Sequence, residues 1–80
     1  MQNIDKAAEE SEYIVGRYRH YKGNEYEVIG EGVHTETEER FVVYRGLYKP
    51  YTIWLRPYDM FFSSAIINNE EVPRFTKLSD

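Results

Sequence analysis

The sequence predicts a small all-β domain, and three observations support this class. From residue 13 onward, polar and apolar residues alternate with a period of two, as they do along a half-buried strand. Glycine, proline and asparagine interrupt the alternation at short intervals, which is typical of turns between strands. The segments between the turns are rich in aromatic and β-branched residues, which strands favour. Together these observations predict five or six short strands.

The size of the chain limits how these strands can pack. A chain of 80 residues buries one small hydrophobic core and cannot support two. Strong bending of the sheet buries its aromatic rings and leaves less edge exposed than a flat sheet would. We therefore predict that residues 13–80 form a single domain, a five- to six-stranded, SH3-like, partly open barrel.

The first predicted strand covers residues 18–21, and its side chains alternate between the two faces of the sheet. Tyr18 and His20 are predicted to point inward, whereas Arg19 and Tyr21 point outward. An exposed ring beside a cation can hold a partner by stacking and by charge. This strand is therefore the first candidate for a binding surface.

The second predicted strand follows a turn at residues 22–24. Its alternation places Tyr26 and Val28 inward. Two glycines at residues 30 and 32 predict a bulge or a strong bend. The strand is then expected to continue through residues 33–35, before a solvated acidic turn at residues 36–39.

Two further strands have the composition of the centre of a sheet. Residues 41–45 and 51–56 are rich in aromatic and β-branched side chains, and residues 49–50 between them predict a hairpin. Trp54 lies in the second of these strands. Buried, it would be the centre of the core, and exposed, it would be a ligand platform. In so small a domain we expect it to be buried.

The remaining elements are predicted from turn residues. Pro57 cannot donate to a strand ladder, so residues 57–60 are expected to form a turn that carries Met60 and Phe61 onto the core. The rest of the chain is predicted as a strand at 64–67, a tight turn at Asn68 and Asn69, and a closing segment at 72–75.

Charge and composition bound the function. The net charge is −4, of which residues 1–12 contribute −3 (four acids against Lys6), so the rest of the chain carries −1. We expect residues 1–12 to form a frayed polar arm or one short helix. The chain has no cysteine, no apolar run long enough for a membrane span and no signal-peptide pattern. We therefore predict a cytoplasmic protein without a membrane partner.

Five motifs in the same order and spacing resemble a bacterial family, domain of unknown function 1653. They are YRHYKG at 18–23, HTET at 34–37, VVY at 42–44 with LY at 47–48, WLRP at 54–57 with MF at 60–61, and VPRF at 72–75. The resemblance covers roughly residues 16–75. Thr35 replaces a more frequent serine, and Asn68-Asn69 replaces an Asp-Gly-like turn. The resemblance implies a small bacterial domain and carries no activity, substrate or cofactor.

An enzyme is the weakest of three functional hypotheses. A small hydrolase or a metal-dependent enzyme would be centred on His34 and Glu36. However, no zinc-ligand spacing accompanies the two histidines, and on a strand Thr35 would point away from His34. We therefore predict no catalytic residue, no metal and no cofactor.

The leading hypothesis is a non-enzymatic binding module for a peptide or protein partner. The runner-up is a nucleic-acid-binding β-barrel that uses the same groups, and a steep loss of affinity with salt would favour it. The predicted ligand-binding residues are Arg19, His20, Tyr21, His34, Glu36, Tyr44, Arg45, Trp54 and Arg56.

Two features of the surface leave further alternatives open. Arg56 and Arg74 could instead pair with the acidic residues Glu36, Glu38 or Asp59 and hold the loops in place. Exposed edge strands could also pair two copies of the domain, and the sequence leaves the oligomeric state open.

Overall fold

A computed structural model describes residues 13–78, and the predicted arm at residues 1–12 lies outside them. Within the described residues, no helix combines the length and the hydropathy needed to cross a bilayer. The elements in chain order are β1 (Gly16–His20), β2 (Glu25–Val33), β3 (Arg40–Gly46), β4 (Ile53–Pro57), helix α1 (Tyr58–Phe61), β5 (Ser64–Ile67), β6 (Glu70–Pro73) and β7 (Phe75–Lys77).

The strands form two antiparallel sheets. Five of them make one sheet in the order β4-β3-β2-β1-β7, and β5 and β6 make a separate hairpin. The predicted small all-β fold is confirmed. Within residues 13–78 the larger sheet does not close into a barrel, so β4 and β7 are its edges. Residues 13–78 contain seven strands rather than five or six, because the predicted closing segment divides at Arg74 between β6 and β7.

The hydrophobic core lies on one face of the five-stranded sheet, which we call the inner face. The period-two alternation holds in β1 and β2, where Tyr18 and Val28 are buried and Tyr26 packs against the core. Phe61 from α1 is fully buried and stacks on Phe75 from β7, with ring centroids 4.0 Å apart. The buried side chains are Ile14, Tyr18, Val28, Val42, Tyr44, Phe61 and Phe75.

The structure corrects the predicted course of the chain after the β2 bulge. The bulge itself is present, because the register with β3 shifts between Val28 and Gly30. Strand β2 ends at Val33, however, and His34 and Thr35 lie in the turn rather than in the strand. The His34 Nδ1 atom accepts hydrogen bonds from the backbone N–H groups of Glu36 (3.1 Å) and Thr37 (3.2 Å). A side chain that satisfies local backbone donors in this way favours a turn over a ladder.

The segment after β4 also differs in detail from the prediction. The predicted turn is a four-residue helix, α1, and Phe61 reaches the core as expected. Met60 does not reach the core, and 48% of its surface is exposed. Neighbouring residues on a helix point in directions about 100° apart, so a single short turn brings only one of the two side chains onto the sheet.

The two predicted turns later in the chain are confirmed. Strands β3 and β4 are joined by a loop over residues 47–52. Strands β5 and β6 are joined by Asn68 and Asn69, which have φ angles of 53° and 68°. Asparagine tolerates this left-handed conformation better than most residues other than glycine.

Candidate functional site

The structure distributes the nine predicted ligand-binding residues over several places. Tyr44, Trp54 and Arg56 come together in one cleft of the inner face. Arg19, His20 and Tyr21 line a second cleft beside β7. His34 and Glu36 lie in the acidic turn after β2, and Arg45 lies on β3 with its side chain on the opposite, outer face. The predicted surface is therefore not continuous.

The cleft on the inner face is lined mainly by aromatic groups. Its volume is about 160 Å³. We call it the aromatic cleft. It is lined by Tyr26, Tyr44, Tyr48, Trp54 and Arg56. Four rings and one guanidinium thus surround a space at the β4 side of the sheet. The alternation of the sequence predicts Tyr26 in the core, and no sequence pattern marks Tyr48 as a ligand-binding residue.

The strand register explains how these rings meet. Tyr44 pairs with Val28 of β2 on one side and with Trp54 of β4 on the other, and directly paired residues of antiparallel strands point to the same face. Tyr26 pairs with Gly46. A Cβ atom at Gly46 would lie 3.2 Å from the Tyr48 ring, so the glycine leaves room for that ring over the sheet.

A hydroxyl pair fixes the tyrosines on the far side of the cleft. The Tyr26 and Tyr48 hydroxyl oxygens are 2.9 Å apart and share a hydrogen bond. Burial, together with this bond, raises the pKa of Tyr26 to about 12. The Tyr26 phenol is therefore protonated at neutral pH and contributes no negative charge to the cleft.

Arg56 brings a positive charge to the cleft. Its Nε–H donates to the Tyr44 hydroxyl (3.1 Å), and its guanidinium lies 5.6 Å from the centroid of the Phe75 ring. Within residues 13–78, no carboxylate forms an ion pair with Arg56. The alternative in which Arg56 pairs with Glu36, Glu38 or Asp59 is therefore wrong.

Arg74 has a similar environment. Its Nε–H donates to the Ser63 hydroxyl (3.2 Å), and among the residues that the structure describes it forms no ion pair with a carboxylate. The corresponding alternative for Arg74 is also wrong. Both arginines are held by neutral hydroxyls, which leaves their positive charge uncompensated within this part of the chain.

Trp54 is half-exposed, contrary to the expectation of a buried residue. Its exposed fraction is 46%. Its side chain points to the inner face, as its pairing with Tyr44 requires, but β4 is an edge strand, and no strand of residues 13–78 lies beyond it. The indole therefore has no neighbouring strand on the edge side within residues 13–78 and stays half-exposed.

His20 lies on the inner face between two aromatic rings. Its ring stacks on Tyr21 (centroids 4.4 Å apart) and meets Phe75 edge-on (4.9 Å). Its Nδ1 atom accepts the backbone N–H of Lys22 (3.1 Å). Burial lowers the pKa of His20 below 6.5, and the positive charges of Arg56, Lys22 and Arg74 lower it further. The imidazole is consequently neutral at pH 7.

This environment predicts a pH-dependent stability. The unfolded chain takes up a proton at His20 near pH 6.5, whereas the folded protein takes it up only at lower pH. We therefore expect the free energy of unfolding to decrease as the pH falls through this window. Urea denaturation at about pH 7.5 and about pH 5.5 measures this change. The decrease should be smaller in His20→Gln, and equal decreases in both proteins would show that His20 is not its source.

Two other predicted residues, Arg19 and His34, are occupied by local interactions. Arg19 forms a hydrogen-bonded ion pair with Glu25 (3.0 Å). The Nδ1 atom of His34 accepts backbone N–H groups of its own turn. Among residues 13–78 there is no grouping of three or more His, Cys, Asp or Glu side chains that would suit a metal ion.

The fold indicates the class of protein, and comparison with known proteins identifies its family. The fold and the cleft define a small, open all-β domain with an aromatic surface at one sheet edge. The model of the family described as "Protein of unknown function (DUF1653)" matches residues 16–77, so the chain belongs to this family, as its motifs predicted.

One solved structure supports the same assignment. It is a protein of this family from Bordetella bronchiseptica, which is 32% identical to this chain with a TM-score of 0.73. The similarity covers 80% of this chain and 85% of that one. A comparison with curated proteins finds no match.

Proposed function

We propose that this domain is a non-enzymatic binding module, and that its aromatic cleft holds one anchor side chain of a peptide or protein partner. The observation that carries the proposal is the union of Tyr44, Trp54 and Arg56 with two further tyrosines around one open space. Tyrosine and tryptophan supply large contact areas at a small entropic cost, because each has only two side-chain torsions.

The size of the cleft favours a side chain over a cofactor. Its volume is about 160 Å³, close to the roughly 150 Å³ that accommodates one benzene ring. Pockets for small molecules and cofactors commonly have about 300–1,000 Å³. The cleft therefore suits a single proline, aliphatic or aromatic side chain, presented by a segment that continues over the surface.

The electrostatics favour a peptide over the nucleic-acid alternative. Binding to a phosphate backbone needs several cations along one surface. Of the predicted cations, Arg19 is paired with Glu25 and Arg45 lies on the outer face. Only Arg56 adjoins the aromatic rings of the cleft, and one arginine supports recognition of a single group.

The geometry of the acidic turn gives the hydrolase alternative no support. A general base needs a free nitrogen within reach of the nucleophile. The His34 Nδ1 atom instead accepts two backbone N–H groups, which in the neutral imidazole places the proton on Nε2 and leaves neither nitrogen with a free lone pair. The Thr35 hydroxyl hydrogen-bonds to Glu36 (3.3 Å). These contacts stabilise the turn, and neither His34 nor Thr35 lines the aromatic cleft.

A selection experiment tests the proposed function without assuming a ligand. A phage-displayed random dodecapeptide library is selected on the immobilised protein, with a short mixed-sequence single-stranded DNA as a parallel probe. We expect peptides that compete with one another for one site. Failure to enrich any peptide, together with DNA binding that persists at physiological salt, would replace this proposal by the nucleic-acid alternative.

A further inference from the structure

We propose that the partner adds as an extended strand to the open edge of β4 and places an acidic side chain beside Arg56. The inference rests on the proposed function and specifies its binding mode and the chemistry of its partner. Strand addition to an exposed sheet edge is a general mode of peptide recognition, in which main-chain hydrogen bonds give affinity and alternate side chains give specificity.

The two edges of the sheet differ in how well they are protected. Strand β7 has three residues and ends with Lys77, and short edges with lysine discourage pairing with other chains. Strand β4 has five residues, and Ile53, Trp54 and Leu55 are exposed by 51%, 46% and 63%. No charge interrupts these three residues, so β4 is the edge that is open to an added strand.

The hydrogen-bond pattern identifies the free backbone groups of β4. The Gly46 N–H donates to the Thr52 carbonyl (2.9 Å) at the start of the β3–β4 pairing. Hydrogen-bonded pairs alternate along an antiparallel ladder. The backbone groups of Trp54 and Arg56 therefore point toward β3, and those of Ile53 and Leu55 point toward the open edge.

These groups define a short docking site. Ile53 and Leu55 each offer one N–H donor and one C=O acceptor to an incoming chain. Pro57, which pairs with Phe41 of β3, has no N–H group to donate to an incoming chain. An added strand therefore finds four backbone partners, and the row of donors ends before α1.

The side chains beside this edge differ between the two faces of the sheet. On the inner face, an added strand would lie beside Trp54 and Arg56, which border the aromatic cleft. On the outer face it would lie beside Ile53 and Leu55. Side chains of a strand alternate between faces, so the two residues of the partner that face Trp54 and Arg56 are two positions apart.

The charge of Arg56 determines the kind of partner. Arg56 has no carboxylate partner among residues 13–78, and a partly buried guanidinium favours an acidic group. Strand β4, Ile53–Pro57, contains no acidic residue, so a second copy paired through the same edge would not supply one. The occupant is therefore a partner segment with an apolar residue near Trp54 and an Asp or Glu two positions away.

An N-methyl scan of a selected dodecapeptide tests strand addition. Methylation removes a backbone donor, so it should lower the affinity about tenfold at alternate positions and have little effect at the positions between them. Hydrogen exchange provides a second readout, because the Ile53 and Leu55 amides should become protected when this peptide binds. Strand addition would be overturned if binding depends on Trp54 but N-methylation has no alternating effect and the Ile53 and Leu55 amides stay unprotected. In that case the proposed function would stand.

A pair of variants isolates the backbone donor of the protein. Leu55→Ala removes most of the side chain and keeps the N–H, whereas Leu55→Pro also removes the N–H on the open edge, where proline is tolerated. We expect Leu55→Pro to bind the peptide at least about tenfold more weakly than Leu55→Ala. Equal affinities of two folded variants would overturn the inference. If Leu55→Pro is unfolded, the N-methyl scan and the hydrogen-exchange measurement decide whether the peptide adds as a strand.

The acidic residue is tested by a double-mutant cycle. Changing the Asp or Glu of the peptide to the amide, or Arg56→Gln in the protein, should each weaken binding about tenfold, and the two changes together should weaken it little further. Additive losses, or selected peptides without an acidic residue, would overturn the charge assignment. A concentration-dependent dimer in sedimentation experiments that Leu55→Pro disrupts would assign the β4 edge to a second copy instead.

Discussion

Phe61→Ala should strongly destabilise the protein. Phe61 is fully buried, stacks on Phe75 at 4.0 Å, and meets Tyr18 and Tyr44 edge-on at 5.4 and 5.2 Å. Removing such a ring costs about 3–5 kcal/mol, from lost burial and from the cavity that remains. A domain of this size has a total stability of roughly 4–12 kcal/mol, so the substitution should remove between about a quarter and all of it.

Met60→Ala is the matched control for this prediction. Met60 is the preceding residue of the same short helix and is half-exposed. Its truncation should change the free energy of unfolding by no more than about 1 kcal/mol. Denaturant unfolding, followed by circular dichroism, measures both variants. A loss for Phe61→Ala as small as that for Met60→Ala would mean that α1 does not close the core.

Trp54→Ala should have the largest effect on binding while leaving the fold intact. Because the indole is half-exposed at an edge strand, its truncation should reduce stability by only about 1–2 kcal/mol. A tryptophan at the centre of a binding surface commonly contributes about 2 kcal/mol or more to affinity. We therefore expect a loss of at least about 30-fold in affinity for peptides selected on the wild-type protein.

Ile66→Ala is the control for the effect on binding. Ile66 is an apolar residue on β5 with an exposed fraction of 69%, and it does not line the aromatic cleft. Calorimetric titration of both variants with the same peptide gives the comparison. If Trp54→Ala unfolds the protein, Trp54 belongs to the core; if it folds and binds normally, the aromatic cleft is not the binding site.

Local patterning was sufficient to predict much of the fold. Alternation in β1 and β2 correctly placed Tyr18, Tyr26 and Val28 on the inner face, because the two-residue period of a strand is a local property. The positive φ angles of Asn68 and Asn69 likewise follow from residue type alone. The position of His34 was not predictable in this way, since its side chain competes with the ladder for backbone donors.

The order of the strands in the sheet could not be predicted from local sequence patterns. This order determines how exposed the residues of the site are. Strands β3 and β4 have similar apolar compositions, yet β3 is central and β4 is an edge. Which strand has a neighbour depends on pairing between distant segments, so composition overestimated the burial of Trp54. For the same reason, the residues Tyr44, Trp54 and Arg56 could be selected from sequence, whereas the contribution of Tyr48 depends on the loop conformation beside Gly46.

The central claim is that the aromatic cleft is the binding site of this domain. The most direct test is a nuclear magnetic resonance titration of the isotopically labelled protein with a peptide selected on it, following backbone amides, the Trp54 indole N–H and the Arg56 Nε–H. We expect saturable chemical-shift changes at these two side chains and at the neighbouring amides of β4. Shifts confined to the acidic turn at His34 and Glu36, or to the outer face around Arg45, would contradict it.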